Sequence, residues 1–320
     1  MSNIASYFGV KSKTLQKHYK HTVSGYHQWE QKSHAEDYLI FPENITESIS
    51  VDEVSLSKGE LYTVVTNKNT ACKNKKSIIA IINGTEAKTI ANVLQKLPLE
   101  CRNKVKEISL DMAPNMALAA RNCFTKSSLV IDRFHVVRLV CDAMQHLRTQ
   151  LRWKVIDEEN QAIKKAKTQG IKYKSEILSN GDTLRELLVR SKYLLYKYEK
   201  DWTLNQKNRA ELLFSKYPQL KQAYQLCISF RNIYKCVLKS QAIENFTKWK
   251  NRVIEANIKE FNSVVNSIEH HFDNIMNFFN NRNTNANAES FNSKIKNFRA
   301  NLRGVTDIKF FLFRLQKLFA

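Results

Sequence analysis

Ser48-Ile49-Ser50-Val51-Asp52-Glu53-Val54, then Ser57-Lys58-Gly59, then Glu60-Leu61-Tyr62-Thr63-Val64-Val65-Thr66 is the stretch on which the fold turns. Two β-rich runs flank a short polar connection containing glycine, the pattern of an antiparallel hairpin. A third run, Ser77 to Asn83, follows the lysine-rich segment Asn67 to Lys76. After Gly84 the spacing changes: Ala87, Ile90, Val93, Leu94 and Leu97 share one helical face until Pro98. Strand Val105 to Leu110, helix Asn115 to Phe124 and strand Leu129 to Ile131 complete the series. The order is β-β-β-α-β-α-β-α: three meandering strands, then two reached by crossover helices.

That is the strand order of an α/β fold of RNase H-like type, a mixed sheet flanked by helices in which the fourth strand lies beside the first. From about residue 136 to 280 the pattern is helical: Val136 to Glu159, Gly181 to Glu199, Asn205 to Lys216, Gln219 to Ser240, Ala242 to Ala256 and Asn257 to Phe279. The predicted layout is an N-terminal helical, DNA-binding segment at 1–44, a first part of the core at 45–150, a large all-α insertion at 151–280, and a last part of the core at 281–320. Within the first segment, Ile4 to Val10 and Lys13 to Leu15 fit either a partial helix-turn-helix, with Ala5 in one helix, Gly9 in the turn and Leu15 in the next, or an ordinary helix pair.

Seven glycines and four prolines in 320 residues leave few breaks, which suits long helices. With 51 Lys and Arg against 30 Asp and Glu the net charge is +21, which suits a polyanionic partner through counterion release. Six cysteines, at 72, 101, 123, 141, 227 and 236, form no C-x-x-C pair and no zinc-finger spacing, and read as reduced thiols. The longest apolar runs are far shorter than a bilayer span and no signal-peptide pattern opens the sequence. A cytoplasmic, nucleoid-associated protein with no membrane partner is expected.

Against this basic background, carboxylates at particular places stand out. Asp52 follows Ile49-Ser50-Val51 and Asp111 follows Ile108-Ser109-Leu110. On neighbouring strands they share a sheet edge, and a third acid would complete an oxygen cage for Mg²⁺ or Mn²⁺, of which phosphoryl-transfer sites commonly hold two. Glu289 fits: on a helix, Phe291, Ile295, Phe298 and Leu302 make an apolar stripe, while Glu289, Asn292, Ser293 and Lys296 occupy another flank facing metal and DNA. A rival triad replaces Asp111 with Asp132, the first residue of Asp132-Arg133-Phe134-His135; in this strand order Asp132 is one strand farther from Asp52. His135 then either orients the attacking water and grips the scissile strand, or is a buried hydrogen-bonded histidine; Arg133 either holds a phosphate or pairs with an acid.

Basic residues are expected along a DNA path: Lys13; Lys68, Lys73, Lys75 and Lys76 of the hairpin loop; and Lys294, Lys296, Arg299 and Arg303 after Glu289. Aromatic residues between charges, in Arg152-Trp153-Lys154 and Phe246-Thr247-Lys248-Trp249-Lys250, either stack on unpaired bases or anchor helices.

The run Ser50 to Tyr62, Leu110-Asp111-Met112-Ala113, Asp132-Arg133-Phe134-His135-Val136, and Thr284 through Glu289 to Gly304 together resemble bacterial insertion-sequence DDE transposases, over nearly the whole chain. The group it looks most like carries a D-R-F-H motif and a helical insertion, in two-frame elements of Bacteroidetes-type bacteria. The resemblance implies an RNase H-like core that binds terminal inverted repeats on double-stranded DNA, nicks and joins strands with Mg²⁺ or Mn²⁺, and uses Asp52, Asp111 and Glu289. Relatives usually have Gly where this chain has Ala286 and Ser290. They also carry a longer N-terminal region, which a separately encoded upstream protein would supply here. Synapsis of two ends implies a homodimer or higher assembly. Two rival readings are a catalytically silent DNA-binding derivative and a structure-selective RNase H-like nuclease.

Overall fold

A computed structural model describes the backbone of residues 2–57, 59–68, 77–282, 286–302 and 305–320, and their side chains apart from 2, 56–57 and 286–290. The chain divides into two compact units, one made of the residues up to Asp132 and from 283 onward, the other of Arg133–Arg282. The division falls at Asp132, where one helix begins that runs unbroken from Arg133 to Thr168.

The first unit opens with two short helices, α1 (Ser2–Tyr7) and α2 (Ser12–His18). Gly9 sits between them at φ +63°, left-handed backbone that glycine adopts without steric cost. Then come β1 (Tyr38–Ile40), β2 (Ser48–Ser57), β3 (Glu60–Asn67), β4 (Ile78–Asn83), α3 (Ala87–Leu94), α4 (Leu99–Lys104), β5 (Glu107–Leu110), α5 (Pro114–Cys123) and β6 (Ser128–Ile131). The sheet order is β1-β4-β3-β2-β5-β6, antiparallel through the meander and parallel from β2 to β5 to β6. The fourth predicted strand does lie beside the first, and the fold is the α/β, RNase H-like one. β1 and α4 are additions to the elements read from sequence; three residues of strand carry too little alternation to be seen.

Period-two alternation sorts the two faces of the sheet. Val54, Tyr62, Val64 and Ile81 face a core that also contains Phe291, Ile295, Phe310, Phe311 and Phe313. Those aromatic residues come from α14 (Ala286–Asn301) and α15 (Ile308–Phe319), numbered after the second unit's α6–α13. The alternate positions Ile49, Val51, Ile108 and Leu110 are fully buried and belong to the other face, where α3 and α5 pack. Each such aliphatic side chain contributes about 1.5–3 kcal/mol on leaving water.

The N-terminal segment joins the same core. Tyr26 packs edge-on against Phe310 and Phe313, with ring centroids 5.2 and 5.4 Å apart. Trp29 donates its indole N–H to the Gln316 side chain, and Lys20 pairs with Asp307, which caps α15 by accepting from the Phe310 amide at 3.0 Å. Burial raises the Asp307 carboxyl, but its hydrogen bonds to Lys20 and to the Phe310 amide outweigh this and hold it below the ordinary 3.8.

The second unit is all helical: α6 (Arg133–Thr168), α7 (Leu184–Arg190), α8 (Leu204–Lys216), α9 (Pro218–Ile233), α10 (Lys239–Ala256), α11 (Lys259–His270), α12 (Phe272–Met276) and α13 (Phe278–Asn281). The expected helix 181–199 shortens to α7 plus single turns at Leu194–Tyr196 and Glu199–Asp201. Capping boxes start α7 (Thr183 with Glu186) and α8 (Thr203 with Gln206). Buried Asp182 ties the two together by bonding both Arg190 and Arg209. Phe246 and Trp249 are core residues here, Trp249 donating to the Leu226 carbonyl at 2.9 Å, so of the two aromatic clusters only Trp153 stays exposed.

Lys68, expected beside DNA, is instead buried at the end of β3. Its Nζ reaches Ser109 Oγ at 2.6 Å and Glu107 Oε1 at 3.4 Å, and both charged side chains are 4% exposed. Burial lowers its pKa, with Glu107 pulling the other way. Taking the cation from beside a buried carboxylate is costly: Lys68→Met is expected to cost about 3–5 kcal/mol, and Lys68→Met with Glu107→Leu to recover most of it, as read from denaturant midpoints. Asp307 yields a pH test. Its folded pKa is depressed, so its contribution is present above 3.8 and lost as pH falls through the lower folded value. Thermal melts of Asp307→Asn and the parent are therefore expected to differ at neutral pH and to converge in acid, as the pH falls through the lowered folded value.

Candidate active site

The parallel strands decide where the acids stand. β2 and β5 pair Ser48 with Glu107, Ile49 with Ile108 and Ser50 with Ser109. Carried on by two residues, this register sets Asp52 level with Asp111. β5 and β6 pair up to Leu110 with Ile131, Asp132 N–H donates to the Leu110 carbonyl at 2.9 Å, and the next row sets Asp132 level with Asp111. Neighbouring strands lie about 4.8 Å apart, so Asp111 is one strand spacing from Asp52 and Asp132 is two. Asp111 and Asp132 directly follow their strands, as the sequence suggests. Asp52 does not end its strand: it lies opposite Val64 in mid-β2, because the hairpin with β3 carries β2 on to Ser57.

Local hydrogen bonds orient the two half-exposed carboxylates. Asp52 Oδ1 accepts from the Glu53 amide and Asp111 Oδ1 from the Ala113 amide, each at 2.8 Å. Glu53 senses both: burial raises its pKa, and the negative charges of Asp111 and Asp52 raise it further. Asp132 differs. It is 6% exposed, and its charge acts on the buried Lys68.

α14 brings the third segment. Phe291 and Ile295 are buried in the core and Phe298 packs half-buried against it, which lays the helix on β2. Asn292, expected on the DNA-facing flank, is itself buried and donates its side-chain amide to Asp52 Oδ2. Arg299, also expected at DNA, donates to the Ser55 carbonyl at 3.1 Å, a second tie between α14 and β2. Glu289 stands three residues before Asn292 in the first turn of α14, on the same helix face and about 4.5 Å back along the axis. The Glu289 side chain lies outside the described residues. Among the described residues no three of His, Cys, Asp and Glu form a metal-sized cluster.

Of the remaining expected residues, Lys13, Lys294 and Lys296 are exposed on α2 and α14. Lys73, Lys75, Lys76 and Arg303 lie outside the described residues. Arg133 and His135 open α6 in the second unit, where the His135 ring stands perpendicular to Phe134 at 5.6 Å. The anchoring role of Asn292 escapes a sequence reading because only the packed helix shows which carboxylate it meets.

Replacing Asn292 with Leu removes a hydrogen bond to a charged acceptor. The expected cost is about 1–2 kcal/mol, the lower part of the range for such bonds because Asp52 is half-exposed, and it is checked by thermal melting. Asn292→Asp, which sets a second carboxylate against Asp52, is expected to destabilise more at neutral pH than Asn292→Leu.

Comparison with known proteins gives one finding. A family model described as a transposase, the DDE type of ISL3, matches residues 49–315. No curated protein and no solved structure matches. The match begins in β2, passes through the whole second unit, and takes in α14 and most of α15, so it embraces both aspartates and the helix of Glu289. The chain belongs to the ISL3 family of DDE transposases.

Proposed function

We propose that this transposase binds the ends of its insertion sequence and catalyses metal-dependent nicking and strand transfer through Asp52, Asp111 and Glu289. The observation that carries the reading is the hydrogen bond from Asn292 to Asp52, since it docks α14 beside the first aspartate with Glu289 one turn away. Oxygen-only donors on adjacent strands, half-exposed and oriented by their own backbone, suit a hard divalent cation such as Mg²⁺ or Mn²⁺. When bound, such ions supply charge neutralisation at the attacking and leaving oxygens of phosphodiester exchange.

The protein's own part is position. Asn292 and the Glu53 amide each donate to one Asp52 oxygen, which fixes the carboxylate plane. The Ala113 amide does the same at Asp111. Asp111 is favoured over Asp132 as the second acid: it is nearer Asp52 in the row and half-exposed, whereas Asp132 is buried with its charge acting on Lys68. Exposed Lys294 and Lys296 follow Glu289 along α14 and suit the phosphates of bound DNA. α1 and α2, with Lys13 exposed, suit an auxiliary duplex contact. The chain acts on this reading in the bacterial cytoplasm at the nucleoid, as a dimer or larger assembly holding two ends.

Strand joining on element-end DNA with Mn²⁺ tests it. Asp52→Asn, Asp111→Asn and Glu289→Gln are each expected to lower joining by about a thousandfold or more, on the scale of losing groups that act at a charge-developing transition state. Asp52 and Asp111 variants that join strands as well as the parent exclude the assignment. Mn²⁺ titration calorimetry on the DNA complex separates it from a binding-only derivative, which shows no site, and cleavage of hybrids or junctions without joining identifies a structure-selective nuclease.

A further inference from the structure

We propose that the second unit carries a binding site for an unpaired nucleotide of DNA, in a cleft whose rim begins with the Arg133-Phe134 pair. The proposal rests on the reading of the chain as a DNA-binding transposase and names the form of DNA that this surface takes.

The cleft encloses about 290 Å³, near the lower end for a ligand site. Arg133 and Phe134 at the start of α6, Tyr198 in the connection before α8, and Arg231, Tyr234 and Lys235 at the end of α9 line it. With Val137 they make seven lining residues, of which three are cations, and among the described residues no carboxylate lines the cleft. That composition selects an anion.

The cations are arranged as well as present. The Arg231 guanidinium lies 4.2 Å from the centre of the Tyr198 ring and the Lys235 ammonium 4.6 Å from it, so a single aromatic ring steadies both. Arg231 donates one N–H to the Tyr196 carbonyl at 2.8 Å, which fixes the plane of its fork and leaves other donors for a phosphate. Tyr234 is a rigid floor: it is buried, with its ring stacked on Phe279 at 5.8 Å and edge-on to Phe278 at 5.3 Å. Phe134 is the opposite, a large apolar ring 51% exposed at the mouth.

Fixed cations next to an exposed aromatic face match the two halves of a nucleotide. The phosphate meets Arg133, Arg231 and Lys235, and the base stacks on Phe134. In a duplex the base faces are covered by their neighbours, so the stacking half of the site is usable only by a base that is single-stranded or turned out of the helix. A free phosphate explains the cations but leaves Phe134 without a use.

The test is fluorescence anisotropy on the full chain with a short single-stranded deoxyoligonucleotide, its duplex, and the ribo-oligonucleotide of the same sequence, with a fluorescent purine analogue in each. Phe134→Ala is expected to weaken single-strand binding about ten- to hundredfold, the range for one base–aromatic stack, and to change duplex binding less than about twofold. The analogue's emission is expected to be quenched on binding the parent and not on binding Phe134→Ala, and Phe134→Trp is expected to retain both properties. Exposed Phe134 supports no core, so these variants fold. Unchanged single-strand affinity in Phe134→Ala, or equal losses on single strand and duplex, overturns the proposal. Tighter binding of the ribo-oligonucleotide that Phe134→Ala abolishes reassigns the cleft to RNA and overturns it too. Strand joining lost in Asp52→Asn while Phe134→Ala binds single strands normally removes this inference and leaves the transposase mechanism standing; a parent that binds no DNA of any form removes both.

Discussion

The parallel register of β5 on β2 is the constraint on which the rest of this molecule depends. A slip of one residue would turn Ser109 and Asp111 to the face now filled by Ile108 and Leu110, burying acids among aliphatic side chains. In the observed register one face changes character across the sheet. Over β3 and β4 it is apolar and takes α14 and α15; over β5 and β6 it bears Ser109, Glu107, Asp111 and Asp132. Asp52 and Asn292 meet where the two regimes adjoin, in a place apolar enough to seat a helix and polar enough to keep a carboxylate wet.

The chain leaves this unit immediately after the row of aspartates and returns just before α14. Closing so long an excursion costs little more than closing a short one, because loop entropy grows only logarithmically with length. What such an insertion requires is a core of its own. Trp249, Tyr224, Phe230 and Phe261, all nearly inaccessible to solvent, provide one, and the salt-bridged Asp182 fixes the entry to α7 and α8. The second unit therefore has the apolar interior that an excursion of this length needs.

Much of this was legible in the residues, for a physical reason: the meander, the crossover helices and the aspartates after β5 and β6 all announce themselves through local alternation and helical spacing. What stayed hidden depends on a partner distant in sequence. Nothing near Lys68 marks it as buried until Ser109 and Glu107 are seen beneath it. Trp153 and Trp249 sit in similar basic surroundings along the chain, yet one is exposed and the other is core, since only helix packing decides which side faces inward. Asn292 looked like one more polar residue on a DNA-facing flank, and its contact with Asp52 spans 240 positions. The match to the transposase family supports the assembly as a whole; the triad itself continues to rest on the helix position of Glu289.

The aromatic seam between Tyr26, Trp29, Phe310 and Phe313 also dictates an order of events on the ribosome. Trp29 meets Gln316 across 287 residues, so the segment around Tyr26 and Trp29 is made long before its apolar partners and waits for α15. By then both aspartates have long been translated, while α14 arrives only shortly before its aromatic neighbours. A polypeptide that already contains all six strands thus lacks one wall of its core until α15 has been made.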